Sequence, residues 1–269
     1  MNISAIHRVR SVSELAALLR SRPQVVLLGG GTLAVPAWQD RKVEIVPLTA
    51  IEELHRCGTG EIGAATTLAR IAADLALPAV LREAASSVAG PAVRNLATAG
   101  GNVGSRQPAC LAVALLALDA TVGELAVHEG EVAWHPLEAV LRRPPAPVIA
   151  LRWSPPPISA FEKVGVRAAG GPNLATVAAG WWGADDPARC SIAAGSTGTV
   201  PHRLRHAERT WARHAGDLRK AARASGETAA REVEVGVRDT GERAYQRHLV
   251  ANLVERALLR CVEATQGKA

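Results

Sequence analysis

The sequence predicts an α+β protein, with a mixed strand-and-helix region followed by a smaller one of antiparallel strands and helices. Three observations predict it. Up to about residue 155, apolar runs of strand length alternate with segments of helical periodicity. Prolines at Pro144, Pro145, Pro147 and Pro155 to Pro157 bracket a single strand, Val148 to Trp153, and mark a boundary there, because proline continues neither a helix nor a ladder. Beyond them, Ala160 to Val166, Leu174 to Trp182 and Cys190 to Ala194 alternate as antiparallel strands do, and two helices follow.

Taken in order, Ser11 to Arg20 reads as a helix with Ser11 or Ser13 as cap and Leu15, Leu18 and Leu19 on one face. Val25 to Leu28 is a buried strand running into three glycines, and Val43 to Pro47 and Glu61 to Ala64 are further strands. Thr67 to Leu75 and Pro78 to Ser87 read as helices. Val88 to Ser105, rich in glycine but also holding Arg94, Asn95, Thr98 and Asn102, reads as an ordered loop. Leu111 to Ala120 is an apolar helix, and Thr121 to Val127 with Glu131 to Trp134 form a hairpin. The closing helices span about Ala207 to Ala224 and Ala244 to Ala264, the second with Leu249, Leu253, Ala257 and Val262 on one face.

Composition narrows the function. The chain has 269 residues, 48% of them hydrophobic, enough for a buried core and for two domains or one large one. Only 3% are aromatic and the net charge is +6. The densest basic stretch, Arg203 to Arg223, reads as a solvated helix face. A basic patch with interleaved aromatics, which would mark a nucleic-acid surface, is not seen. Cys57, Cys110, Cys190 and Cys261 lie too far apart for a zinc or iron–sulfur spacing, so no metal site is expected. Met1 to Arg10 has no apolar signal core and no apolar run reaches membrane-spanning length, so the expectation is a cytoplasmic protein without a membrane segment.

Two loops carry the chemistry. Gly29-Gly30-Gly31-Thr32 follows an apolar strand. Glycines there permit positive φ and a close ligand, their N–H groups can converge as an anion nest, and Thr32 adds a hydroxyl. The pattern is neither GxGxxG nor a loop ending in GK[ST], which excludes the Rossmann and P-loop readings. Arg94 to Asn102 places Gly100 and Gly101 between Thr98 and Asn102, the opposing half of a pyrophosphate clamp. A third element, Phe161-Glu162-Lys163 with Arg167, sets an aromatic beside cations that can serve a flavin ring; its plainer reading is an edge strand with solvated charges.

These residues resemble the FAD-binding subunits of molybdenum hydroxylases, the xanthine and carbon monoxide dehydrogenase type. The family's Ala-Gly-Gly-Thr-Asp-Leu loop is similar to Gly29 to Ala34, its Ile-Gly-Ala-x-Thr-Thr turn to Ile62 to Thr67, and its Pro-x-Val-Arg-Asn-x-x-Thr-x-Gly-Gly-Asn signature to Pro91 to Asn102. Its Leu-Leu-Ala-Leu-Asp-Ala helix end appears at Leu115 to Ala120, its Tyr-Glu-Lys element at Phe161 to Lys163, and its tail helix at Arg243 to Leu249.

The resemblance implies a FAD-binding domain over 1–155, in two α/β subdomains of about 1–50 and 51–155, then a C-terminal domain over 156–269. It implies FAD as cofactor, held by Gly29, Gly30, Gly31, Thr32 and Leu33 and by Thr98, Ala99, Gly100, Gly101 and Asn102, with Lys163 near a flavin-site lysine of the family and Val88 where some members place an aromatic. It implies no catalytic side chain of the chain's own, and partner subunits carrying iron–sulfur clusters and molybdopterin, with NAD or oxygen as electron acceptor. The chain departs from the pattern at Leu33, where Asp or Ser is usual, at Ala99 for an Ile, and at Cys110 or Leu111 for an Asp that reaches the cofactor. A stand-alone flavoenzyme acting on a small molecule and a flavin-free scaffold subunit are the other readings.

Overall fold

The computed structural model describes residues 2–38, 42–107, 109–154, 158–167, 171 and 173–266; Pro155 to Pro157, used above to place a boundary, lie outside them. Strand β1 (Asn2–Ile6) leads to helix α1 (Val12–Ser21), where the Ser11 hydroxyl accepts from the Glu14 amide and so caps the first turn. Strand β2 (Val26–Leu28) runs into the glycine loop and the short α2 (Ala34–Ala37). With β3 (Lys42–Pro47) these strands form a parallel sheet in the order β1-β3-β2, so the glycine loop sits at the carboxyl edge where such sheets bind ligands.

The next stretch builds a second sheet. It contains β4 (Cys57–Gly58), β5 (Glu61–Gly63), the hairpin β6 (Thr121–Ala126) and β7 (Glu131–Pro136), and β8 (Val148–Arg152), ordered β4-β5-β8-β6-β7 with every pair antiparallel. Between β5 and β6 lie α3 (Leu68–Ala73), α4 (Ala79–Ser86), α5 (Pro91–Leu96), α6 (Ala99–Gly104) and α7 (Cys110–Ala117); α8 (Leu137–Leu141) follows β7. Every residue of α7 is buried. Its all-round apolar surface is what a helix needs when covered on every side, and here it meets α4 in front and the third sheet behind.

That third sheet, β9 (Ile158–Gly165), β10 (Asn173–Trp181), β11 (Cys190–Ser196) and β12 (His202–Arg203), is antiparallel in the order β12-β11-β10-β9. One face joins the α7 core through Phe161, Ala178 and Ala193, and the other packs on α9 (Arg205–Arg213), α10 (Leu218–Glu232) and α11 (Thr240–Gln266). The helices come close because α10 presents Ala221, Ala222, Ser225, Gly226 and Ala229; a Cβ on Gly226 would lie 2.5 Å from the Ala251 carbonyl oxygen. No helix among the described residues is long and apolar enough to cross a membrane.

Three expectations need correcting. Residues 88–105 are two short helices rather than a loop. Pro91 opens α5, where its missing N–H costs nothing, and Thr98 caps α6 by accepting from the Gly101 amide at 3.2 Å. The segment 207–224 is two helices, because the chain breaks at His214 to Asp217 and the Asp217 carboxylate caps a new start by accepting from the Lys220 amide. Arg203 is not part of a solvated face but 6% exposed and ion-paired to Asp119 and Glu208.

Candidate functional site

The two glycine loops meet. A Cβ on Gly29 would lie 2.6 Å from Thr98 Oγ1, and one on Gly30 would overlap the Leu96 carbonyl oxygen and sit 2.8 Å from the Ala97 amide nitrogen. Gly31 has φ +70, a left-handed conformation that glycine adopts without the Cβ penalty. The first loop therefore needs glycine for two separate reasons, close backbone approach at 29 and 30 and torsion at 31.

The second loop is fixed from the other side by the turn after β5. The Ala99 amide donates to the Thr66 carbonyl and the Gly100 amide to the Ala64 carbonyl, both at 2.9 Å, and Leu68 donates back to the Ala97 carbonyl at 2.8 Å. Gly100 permits this contact, because a Cβ there would be 2.7 Å from that of Ala64. The Ile62 to Thr67 motif is thus the bed on which the second loop lies.

The structure brings Gly29, Gly30 and Gly31 together with Thr98, Gly100 and Gly101. Thr98 is buried and joins both loops, capping α6 while its hydroxyl abuts Gly29. Among the described residues, the amides of Gly30, Gly31 and Thr32 find no hydrogen-bond acceptor, and the buried amide oxygen of Asn102 has no partner. Free backbone donors in a glycine-rich loop suit a pyrophosphate, and an unpartnered buried acceptor suits a ligand hydroxyl. The residues present fit a phosphate-bearing cofactor. Leu33, 59% exposed, precedes α2 without a side-chain cap and contributes no polar group.

The third sequence element is placed differently from its sequence readings. Strand β9 is an edge strand, as the plainer reading has it, and Arg167 beyond its end is exposed, but Glu162 is buried and Lys163 half-buried. Phe161 is buried in the α7 core, and the buried Glu162 pairs with Arg260 at 2.9 Å and with Arg256 at 3.3 Å. Lys163 Nζ donates to the Ser87 carbonyl at 2.7 Å, tying β9 to the end of α4. Sequence reasoning passed over Arg94 as a working side chain. It lies inside the quoted signature, and its Nη1 donates to the Val88 and Ala89 carbonyls at 3.0 and 2.6 Å.

None of the four cysteines is disulfide-bonded. Burial pushes the Cys261 thiol up to about 12 and the Cys190 thiol further, while burial and the neighbouring Asp74 carboxylate raise that of Cys57. Cys110 is 2% exposed at the start of α7, and Asn173 donates to its sulfur at 3.6 Å. The thiolate is the reactive form, so a thiol-exchange reagent at pH 8 is expected to modify one cysteine slowly in the native protein, the half-buried Cys57, and all four after denaturation. Two or more fast-reacting thiols in the native protein would contradict this burial pattern.

A family profile described as the FAD binding domain in molybdopterin dehydrogenase matches residues 2–151. The chain belongs to this family, and FAD is its cofactor. A xanthine dehydrogenase FAD-binding subunit of Escherichia coli O157:H7 is 37% identical over 114 residues, which cover 38% of this chain and 39% of the relative. The matched stretch thus spans about two fifths of that curated relative. In fold alone, the likeness extends over nearly the whole chain. A reconstituted CO dehydrogenase chain from Oligotropha carboxidovorans superposes with a TM-score of 0.82 at 22% identity, covering 96% of each chain. A quinoline 2-oxidoreductase chain from Pseudomonas putida 86 gives 0.82 at 19%, covering 98% of each.

Proposed function

We propose that this chain is the FAD-binding subunit of a molybdenum-hydroxylase-type oxidoreductase, passing electrons from partner iron–sulfur and molybdopterin subunits to an acceptor such as NAD or oxygen. The observation that carries the reading is the interlock of the two glycine loops, in which Gly30 lies against the Leu96 carbonyl and Gly29 against Thr98. In this reading Gly29 to Leu33 and Thr98 to Asn102 line the FAD pyrophosphate, the amides of Gly30, Gly31 and Thr32 donate to it, and the Asn102 amide oxygen takes a hydroxyl of the cofactor. FAD supplies two-electron chemistry, and the protein supplies binding, orientation and exclusion of water. Lys163 enters through the Ser87 carbonyl it holds. We also propose the division into a FAD-binding domain over 1–155, with subdomains of about 1–50 and 51–155, and a C-terminal domain over 156–269.

The test is the visible spectrum of the protein purified from its native host, with metal analysis of whatever copurifies. Flavin bands that survive gel filtration, together with molybdenum and iron in the same peak, are expected. A flavin-containing protein that purifies alone and itself oxidises a small molecule would overturn the subunit reading. A colourless protein that takes up no added FAD would overturn the cofactor assignment at this site.

A further inference from the structure

We infer that Arg94 is the positioning residue for the first glycine loop, acting through α5. The inference rests on the FAD reading above and assigns a part of the site that reading leaves open. Its starting point is a strained turn. Ala89, a residue with a Cβ, has φ +42, between α4 and α5. Such a conformation persists only where its surroundings over-determine it. Here three successive carbonyls are held by two cations from outside the turn. Lys163 Nζ donates to Ser87 at 2.7 Å, and Arg94 Nη1 donates to Val88 at 3.0 Å and to Ala89 at 2.6 Å.

Helix α5 then carries this geometry to the cofactor loops. It has six residues, none of them buried, and no side-chain hydrogen bond at its N-cap, Gly90. So short a helix is unstable by itself; Val93 rests on the core, and what holds the two ends fixes its position further. Arg94 staples the N-terminal end to the turn. At the other end the Ala97 amide donates to the Val93 carbonyl at 2.7 Å, and the Leu96 carbonyl and Ala97 amide form the floor against which Gly30 lies. Thr98, one residue on, is the wall beside Gly29. Arg94 thus anchors the N-terminal side of that floor, as the Leu68 amide anchors the other side through the Ala97 carbonyl.

The experiment uses the full chain, with bound flavin removed, as wild type, Arg94→Met and Arg94→Lys. FAD and ADP affinities are measured by titration, and amide hydrogen exchange is followed without ligand. Arg94→Met is expected to weaken FAD and ADP by the same factor, at least about 10-fold, because the shared pyrophosphate is what the loop holds. Arg94→Lys should recover most of the loss, since an ammonium can donate to the same carbonyls. Without ligand, Arg94→Met should speed exchange at residues 96–101 and leave α7 and β10 unchanged, which a direct charge–phosphate contact would not do. Wild-type affinity in Arg94→Met, unchanged exchange at 96–101, or a variant too unstable to purify would each overturn the inference. If wild-type protein binds neither FAD nor ADP, the FAD reading falls as well, so the two failures are told apart by the wild-type titration.

Discussion

Gly30→Val is expected to strip the protein of flavin. The new Cβ would overlap the Leu96 carbonyl oxygen and crowd the Ala97 amide nitrogen, both backbone atoms that cannot swing aside as a flexible side chain would. One loop must move, and with it the amides of Gly31 and Thr32. A loss of about 100-fold in FAD affinity, roughly 3 kcal/mol, corresponds to the removal of two or three charge-assisted hydrogen bonds. The flavin-to-protein ratio after gel filtration should fall below about one tenth of the wild-type value, with circular dichroism close to wild type. Gly104→Ala is the matched control, because a Cβ there meets nothing within 4 Å and replaces a helical glycine by the best helix former. Should Gly30→Val keep its flavin while Gly104→Ala loses it, the pyrophosphate is not held between these loops.

Much of this candidate site is legible in the sequence, for a physical reason. Glycine runs after an apolar strand have few uses, and Gly29 to Thr32 and Thr98 to Asn102 both drew the same reading. Their mutual contact was not legible. Nothing in a linear sequence states that Gly30 will face Leu96, because the approach is created by the antiparallel bed of Ala64 and Thr66 beneath the second loop. The strands with long apolar runs, β8, β10 and β11, were placed to within a residue or two. Those were missed or misread whose formation depends on distant partners. Strand β1 exists because β3 offers it a parallel edge; α5 and α6 were missed for a local reason, Pro91 and Thr98 starting them inside a glycine-rich stretch that otherwise reads as loop. Lys163 and Glu162 read as surface charges because their partners, Ser87, Arg256 and Arg260, lie far away along the chain.

Arg203 was hidden for the same reason, and its substitution is the second large effect expected, on stability rather than on the cofactor. Its neighbours Arg205 and Arg209 are exposed, so the stretch reads as a solvated face. The side chain of Arg203 instead runs inward from β12. Its Nε pairs with Glu208, while Nη1 pairs with Asp119 and donates to the Leu116 carbonyl at the end of α7 at 3.3 Å. Burial works against the guanidinium charge, but Glu208 and Asp119 more than offset it and hold the pKa above the ordinary arginine value. The partner Asp119 sits at φ +50, a conformation costing about 1–2 kcal/mol without support. Arg203→Met keeps the volume and removes the charge, leaving Glu208 desolvated and the α7 carbonyl without this donor. Breaking a buried pair in this way costs about 3–5 kcal/mol, which for a chain of this size lowers Tm by about 5–9 °C. Arg203→Lys should recover only part of it, because one ammonium cannot span the three acceptors that the guanidinium meets. A Tm within about 2 °C of wild type for Arg203→Met would mean that this cation adds little to the contact between the third sheet and α7. The expected drop would instead make this buried cation the polar pin between the end of α7 and β12.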